Sequence, residues 1–440
     1  MQVFQRLFLA AVYLSSHAAV LAIPVDRRDT SSSSSPSPSY GSSSSSSSIN
    51  QPIRPLEDPW YTAPDEFENE APGTILRVRP APGNLTTLAG SNASAAYNIL
   101  YRTTNSRYQP TWAVTTLFIP KNISSALLSY QIPYDSAFLD SSPSYAMYAG
   151  VGVDVLTALA KGWFVNVPDY EGPLASFSAG VLSGHATIDS IRAVLNGAKR
   201  FGLPDDTKYA LWGYSGGALA SEWAAELQVQ YAPELEFSGA ALGGLTPNVT
   251  TVLNAITGTV YAGLAPPSII GISNQYPETY NYLVSRLKPS GPYNRTEFLS
   301  AVNLTLSQAI FKYAFQNVSD YFIGGMSDVI NPFTNKVIHR DGIMGYHGVP
   351  QFPLYVYHAV KDLVTPIQGT DELVSKYCNI GANILYERNT IGGHSAGNIN
   401  GRESAEAWLD SVLTGSYGSK YKTTGCTIRD VALNVTSSPI

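Results

Sequence analysis

Positive charge is in short supply in this chain. Its 27 lysines and arginines are outnumbered by 33 acidic residues, for a net charge of −6. No basic cluster of the kind that phosphate binding requires is visible, so nucleic acid is not an expected partner. Charge of either sign is scarce: 14% of residues against about 25% in an average soluble domain. The chain has only two cysteines, and with no HExxH pair and no Cys/His cluster no metal is expected. A GxxxxGK[ST] loop is missing, and so is a GxGxxG after the first strand, so no cofactor is expected either. The 36 glycines and 29 prolines spread along the sequence would interrupt long helices, which disfavours a coiled coil. What is there is a Gly-, Ser- and Tyr-rich globular chain of 440 residues with 28 tyrosines, long enough for up to three domains.

The N-terminus points outside the cell. A basic start, Met1 to Arg6, leads into the apolar run Leu7 to Ala22, which ends in small residues; residues 1–22 are expected to be a cleaved signal peptide. The alternative, a membrane anchor, requires about 20 unbroken apolar residues, whereas Ser15-Ser16-His17 interrupts this run. No later segment qualifies, so no transmembrane segment is expected. Residues 23–54 carry a dibasic pair, Arg27-Arg28, and a Ser/Pro tract with too few apolar side chains to offset the cost of ordering. Asn-x-Ser/Thr sequons at Asn84, Asn92, Asn122, Asn248, Asn294, Asn303, Asn317 and Asn434 are candidate glycosylation sites in a secreted chain. Cys378 and Cys426 fit one disulfide of an oxidising compartment, contributing roughly 4 kcal/mol on a chain-entropy argument; two buried free thiols are the alternative. A monomer is expected.

From Asp58 onward the pattern is α/β. Thr74 to Arg79, Ala95 to Tyr101, Thr111 to Ile119 and Leu127 to Ile132 are β-prone runs that suggest an antiparallel or mixed start to a sheet. Helices are expected around Asp154 to Lys161, His185 to Arg200 and Ala218 to Val229. Strands are expected at Trp163 to Val167, Tyr209 to Trp212, Phe237 to Leu242, Leu354 to Val360 and Ile384 to Tyr386. Such alternation predicts a mostly parallel sheet covered on both faces. The connection between the strands near Gly244 and Leu354 is far too long for a βαβ crossover. Residues 245–349 are therefore expected to be a cap inserted between core segments 55–244 and 350–440, rather than an independent domain. The cap begins with an apolar run, Val252 to Ile272, and continues through helix-like stretches, Tyr280 to Leu287 and Glu297 to Phe315.

Gly213-Tyr214-Ser215-Gly216-Gly217 follows a candidate strand and precedes a candidate helix. This is the context in which a nucleophile elbow exposes its serine, with small flanking residues because the turn is crowded. A serine needs an adjacent base, and the base an orienting acid; in this fold they follow in the order serine, acid, histidine. His185 precedes the serine and is taken as a polar residue at a helix start. His339 and His347 fall in the cap. His358 lies within a strand, where it packs or hydrogen-bonds beside the sheet. His394, in a flexible Gly-Gly-His loop before a helix near Glu403 to Leu413, is the candidate base. Asp362, just past a strand, is the candidate acid, with helix capping as its structural alternative.

Gly213 to Ala218, Tyr357-His358-Ala359 leading to Asp362 and Pro366, Gly392-Gly393-His394, and Asp169-Tyr170-Glu171-Gly172 together resemble the fungal secretory lipase family, the group of Candida lipase A. The family also includes trichothecene esterases. The similarity runs from about Asp58 to about Cys426. It implies an α/β-hydrolase fold with a mainly helical lid and a triad of Ser215, Asp362 and His394. It also implies an oxyanion hole from the backbone N–H groups of Asp135 and Gly216. An ionised carboxylate there would repel the oxyanion, so the Asp135 side chain must turn away or be protonated. Ser141 stands where the family member compared has a cysteine. The expected activity is hydrolysis of carboxylic esters, first as a triacylglycerol lipase meeting an oil-water interface. The alternatives are an esterase deacylating a bulky secondary metabolite and, more remotely, a non-catalytic binding protein that kept the fold.

Overall fold

The computed structural model describes residues 51–435; the expected signal peptide, residues 1–22, and all but the end of the leader, residues 23–54, lie outside them. Ten strands form one sheet in the order β1-β2-β3-β5-β4-β6-β7-β8-β9-β10. The first three, β1 (Ile75–Pro80), β2 (Ala93–Thr104) and β3 (Pro110–Pro120), pair antiparallel, and β3 also meets β5 antiparallel. From β4 (Ala126–Gln131) and β5 (Phe164–Pro168) onward every pairing is parallel: β6 (Lys208–Tyr214), β7 (Gly239–Gly243), β8 (Leu354–Ala359), β9 (Ile384–Asn389) and β10 (Cys426–Val431). The Leu127 to Ile132 run, expected in the mixed start, is thus β4, inside the parallel part between β5 and β6.

The sequence explains the layering. β4, β5, β7 and β8 are buried along their whole length, as strands covered on both faces must be. Helices α1 (Val153–Ala160), α2 (Gly180–Asn196) and α3 (Gly216–Tyr231) follow in the first half of the chain. α2 and α3 bury Ile188, Ile191 and Trp223 in the core on one face of the sheet. On the other face Val155 of α1 packs in a second core with Trp408 and Leu409.

Four local expectations need correction. The helix expected from His185 begins at Gly180, so His185 lies fully buried in mid-helix, its Nδ1 3.2 Å from the Thr104 carbonyl oxygen. Gly180 and Gly184 look like helix breakers in the sequence, but they are packing positions. A Cβ on Gly180 would lie 2.1 Å from the Trp223 ring, and one on Gly184 2.7 Å from the Trp223 backbone. The helix expected near Glu403 begins at His394 itself and runs to Leu413, because Gly397 and Gly401 let it lie against β8; a Cβ on Gly401 would meet the Tyr357 ring at 2.3 Å. Glu297 to Phe315 is broken into Arg295–Leu299, a 3-10 turn and Leu306–Tyr313, where Thr305 and Gln308 form a capping box that restarts the helix. Finally, β10 escaped the sequence pattern because its residues are half-exposed or exposed at the sheet edge.

Residues 244–353, between β7 and β8, contain no sheet strand. Their helices include α4 (Val249–Ile256), α5 (Ala265–Asn274), α6 (Pro277–Arg286) and α7 (Leu306–Tyr313), which share a hydrophobic cluster with Ala137 and Val364 from the sheet side. Beyond β8 come α8 (Ile367–Ile380) and α9 (His394–Leu413). Cys378, near the end of α8, is disulfide-bonded to Cys426, the first residue of β10. The bond ties the edge strand to the body. Of the sequon asparagines, Asn248 and Asn294 are half-buried and cap helices through their side-chain oxygens, whereas the other six are exposed.

Candidate active site

Four segments converge at the C-terminal ends of the parallel strands, the usual place for a site in an α/β sheet. Ser215 follows β6 and precedes α3 with φ 55° and ψ −122°, a conformation costly for a non-glycine residue. Its N–H donates to the Gly243 carbonyl oxygen at 2.8 Å, which helps hold the turn. The flanking glycines are steric necessities: a Cβ on Gly213 would lie 2.1 Å from the Gly217 oxygen, and one on Gly217 1.9 Å from the Gln131 oxygen.

His394 is the first residue of α9, and the Tyr214 hydroxyl donates to its carbonyl oxygen at 2.6 Å. Its Nε2 is 2.9 Å from Ser215 Oγ and its Nδ1 2.6 Å from Asp362 Oδ2. Nδ1 faces a carboxylate and therefore carries the proton, leaving Nε2 free to accept from the serine. Asp362 does not cap the next helix, whose N-cap is Pro366, but its Oδ1 fixes the turn before it by accepting from the N–H groups of Val364 and Thr365, each at 2.8 Å. One carboxylate thus fixes the loop with one oxygen and the imidazole with the other.

Sequence reasoning did not foresee how closely Asp362 is surrounded. The Thr365 hydroxyl donates to its Oδ2 at 3.0 Å, and His358 Nε2 lies 3.3 Å from the same oxygen and 2.8 Å from the Thr365 carbonyl oxygen. His358 Nδ1 is 3.0 Å from the Thr370 hydroxyl. Nε2 faces only acceptors and so bears the hydrogen, while Nδ1 accepts from Thr370. Burial opposes the charge on Asp362. Attraction by His394 and hydrogen bonds from His358 and His394 outweigh it, holding the carboxyl well below the usual range. The pattern His358-x-x-x-Asp362 in and just after a strand was the available signal.

Asp135 lies beyond β4 with φ 43°. Its segment is fastened by the run after β5: the Tyr170 hydroxyl donates to the Ile132 carbonyl oxygen at 2.8 Å, and the Glu171 N–H to the Tyr134 hydroxyl at 2.7 Å. The backbone N–H groups of Asp135 and Gly216 have no partner among the described backbone hydrogen bonds. A Cβ on Gly216 would lie 1.8 Å from Asp135 Oδ1, so only glycine fits there. Asp135, Ser215, Gly216 and Thr365 border one cavity. α4 supplies Val249, Val252, Leu253 and Ile256 to it, one helical face at i, i+3, i+4 and i+7. The apolar run after β7 therefore supplies a wall of the cavity that Ser215 borders.

A match to the family model described as secretory lipase spans residues 150–419. The trichothecene C-3 esterase of Fusarium sporotrichioides is 48% identical over 89% of this chain and 91% of its own length. The chain belongs to the secretory lipase family. Another relative, lipase A of Arthroderma benhamiae, is 36% identical over 83% of this chain and 81% of its own. Among solved structures, Candida antarctica lipase A in its closed state superposes with a TM-score of 0.78 at 28% identity, covering 88% of this chain and 92% of that one. This secretory lipase family member is an α/β-hydrolase and a carboxylic ester hydrolase. Among the described residues no helix is long and apolar enough to cross a membrane.

Two buried carboxyls beside the site make the fold sensitive to pH. Burial pushes both Asp135 and Asp169 up to about 7, moderated in Asp135 by His394 and in Asp169 by hydrogen bonds from Ser144. Their folded-state pKa lies above the unfolded value of about 4. Each therefore contributes stability that is complete below about pH 4 and is lost as pH rises through about 7. Asp362 has the opposite sign, but its contribution is lost only on acidification below about pH 4. Calorimetry is expected to show Tm falling by several degrees between pH 5 and pH 8; a Tm constant or rising over that window would contradict the assignment.

Proposed function

We propose that this protein is a secreted serine esterase that deacylates a bulky oxygenated ring metabolite of the trichothecene type. Ser215 attacks the ester carbonyl, His394 takes the proton and returns it to the leaving alcohol, and Asp362 orients the imidazole. The N–H groups of Asp135 and Gly216 hold the oxyanion, and water then hydrolyses the acyl-enzyme by the same steps. Residues 245–349 act as the cap over an acyl and ring pocket. The hydrogen-bonded chain from Ser215 through His394 to Asp362 supports the chemistry. The 48% identity to the trichothecene C-3 esterase carries the choice of substrate. An extracellular location is supported by the family's description, the disulfide and the apolar N-terminus.

The second reading, a triacylglycerol lipase, is favoured by the apolar face that α4 turns toward the cavity. Comparing kcat/KM for a 3-O-acetylated trichothecene and for triacylglycerols of increasing chain length separates the two. The expected result is a preference of about 100-fold or more for the acetylated ring, the scale of discrimination a shaped pocket provides. A preference for long acyl chains with a gain at an oil-water interface would reject the esterase reading in favour of the lipase.

A further inference from the structure

Thr365 grips the acid of the triad with two of its own groups. It is buried in the turn between β8 and α8. Its N–H donates to Asp362 Oδ1 at 2.8 Å, and its hydroxyl oxygen lies 3.0 Å from Oδ2, the oxygen that faces His394 Nδ1 at 2.6 Å. The direction of the hydroxyl proton follows from its surroundings. Besides Oδ2, the hydroxyl oxygen has His358 Nε2 at 3.2 Å and His394 Nδ1 at 3.4 Å. Both nitrogens bear hydrogens: His358 Nε2 because it stands 2.8 Å from the Thr365 carbonyl oxygen, and His394 Nδ1 because it faces the carboxylate. Neither can accept, so the hydroxyl proton goes to Oδ2. The Thr370 hydroxyl on α8, 3.0 Å from His358 Nδ1, fixes the tautomer on which this depends. Oδ2 is thus shared between the catalytic imidazole and a second, neutral donor.

We propose that Thr365 is a positioning residue of the reaction: its hydroxyl shares Asp362 Oδ2 with His394, and so sets both the aim of the imidazole and its strength as a base. This rests on the serine-esterase reading above and deepens it. No bond is made or broken at Thr365. A hydrogen bond to an ionised oxygen is about twice as strong as one between neutral groups. A carboxylate whose charge is partly taken up by such a donor pulls less on the imidazolium that forms when Ser215 gives up its proton, and the base is easier to regenerate.

The turn itself does not need this hydroxyl. Its bonds run from the N–H groups of Val364 and Thr365 to Oδ1, and from His358 to the Thr365 carbonyl oxygen. Valine has the branched shape of threonine and keeps all three. The titratable groups that face the His394–Asp362 pair are His358 on β8, Asp135 beyond β4, Tyr214 at the end of β6 and Tyr261 from the segment after α4. All of them are unchanged in the variants that test the proposal.

The full secreted enzyme is compared with Thr365→Val, Thr365→Ala and Thr365→Ser, each first checked for folding by thermal melting. In the parent, kcat/KM is expected to rise with pH as the imidazole loses its proton. Without the hydroxyl Oδ2 holds the imidazolium more tightly, so in the valine variant the rise is expected about half a pH unit or more higher. The plateau of kcat is expected to fall about tenfold as the imidazole loses its aim. Alanine removes the hydroxyl with less bulk and is expected to shift the rise in the same direction, which keeps the test open if valine does not fold. Serine restores the donor and is expected to bring the rise back to the parent position. A merely structural hydroxyl would lower Tm and kcat together without moving the rise. The proposal is overturned if the rise stays at the parent pH in the variants that lack the hydroxyl, or if the serine variant is displaced as far as they are. Failure of the underlying serine-esterase reading is distinguishable, because it would appear as turnover retained by Ser215→Ala.

Discussion

Ser215→Ala is expected to lower kcat for any ester substrate by on the order of 10⁶-fold while leaving the fold intact. The loss is large because Oγ is the atom proposed to form the acyl-enzyme, and removing a triad nucleophile elsewhere costs about that much. What remains, about 10³-fold over water, comes from the oxyanion donors and substrate binding. Folding is not at risk: the bond that ties the turn to β7 runs from the Ser215 backbone N–H to Gly243, and a methyl side chain leaves it untouched. Alanine inherits the same strained backbone as serine. The measurement is hydrolysis of a chromogenic acetate by purified protein with matched circular dichroism. A variant keeping even a hundredth of the activity would remove Ser215 from the mechanism.

Asp362→Asn should cost kcat about 10⁴-fold, as removal of the orienting charge does in a comparable triad. The surroundings of the residue show why an isosteric amide cannot replace it. Oδ2 faces three donors, His394 Nδ1, the Thr365 hydroxyl and His358 Nε2, and Oδ1 faces two more, the N–H groups of Val364 and Thr365. Either orientation of an amide sets its NH₂ against donors. If the NH₂ faces His394, the imidazole is driven to the wrong tautomer; if it faces the backbone, the turn after β8 opens. A stability loss of about 1–3 kcal/mol is expected alongside the kinetic one, from leaving buried donors unpaired. Kinetics and chemical denaturation of the same variant check both, and an enzyme within tenfold of the parent would exclude Asp362 as the orienting acid.

On sequence grounds Asp362 was either the catalytic acid or a helix cap; in the structure it caps no helix, but it holds both the imidazole and the turn after β8. Each uses a different oxygen, a distinction that no sequence pattern encodes. His394 is comparable. Its identity as the candidate base followed from order and elimination, but Gly392-Gly393 and the glycines after it suggested a flexible loop. Those glycines instead let α9 approach β8, so the imidazole is carried on the first turn of a helix and is far more rigidly held. Gly180 and Gly184 do the same for α2, which they let approach Trp223 of α3. In each case the sequence shows the absence of a side chain, and only the partner helix or strand shows what fills the space.

By itself the sequence determined the alternation of strands and helices, the elbow around Ser215 and the serine-acid-histidine order. It also determined the long interruption between β7 and β8 and the single cysteine pair. These are local or countable properties, set by residue periodicity, turn chemistry and chain order. The tertiary structure decided the convergence of His358 and Thr365 on Asp362, the meeting of one face of α4 with Ser215 at a single cavity, and the burial of Asp135 and Glu171. Those groups are distant in the chain or differ by a single side-chain direction. Their charge states depend on the water and partners that folding removes, and that environment comes into being only when the sheet, the helices and the segment over them close around the site.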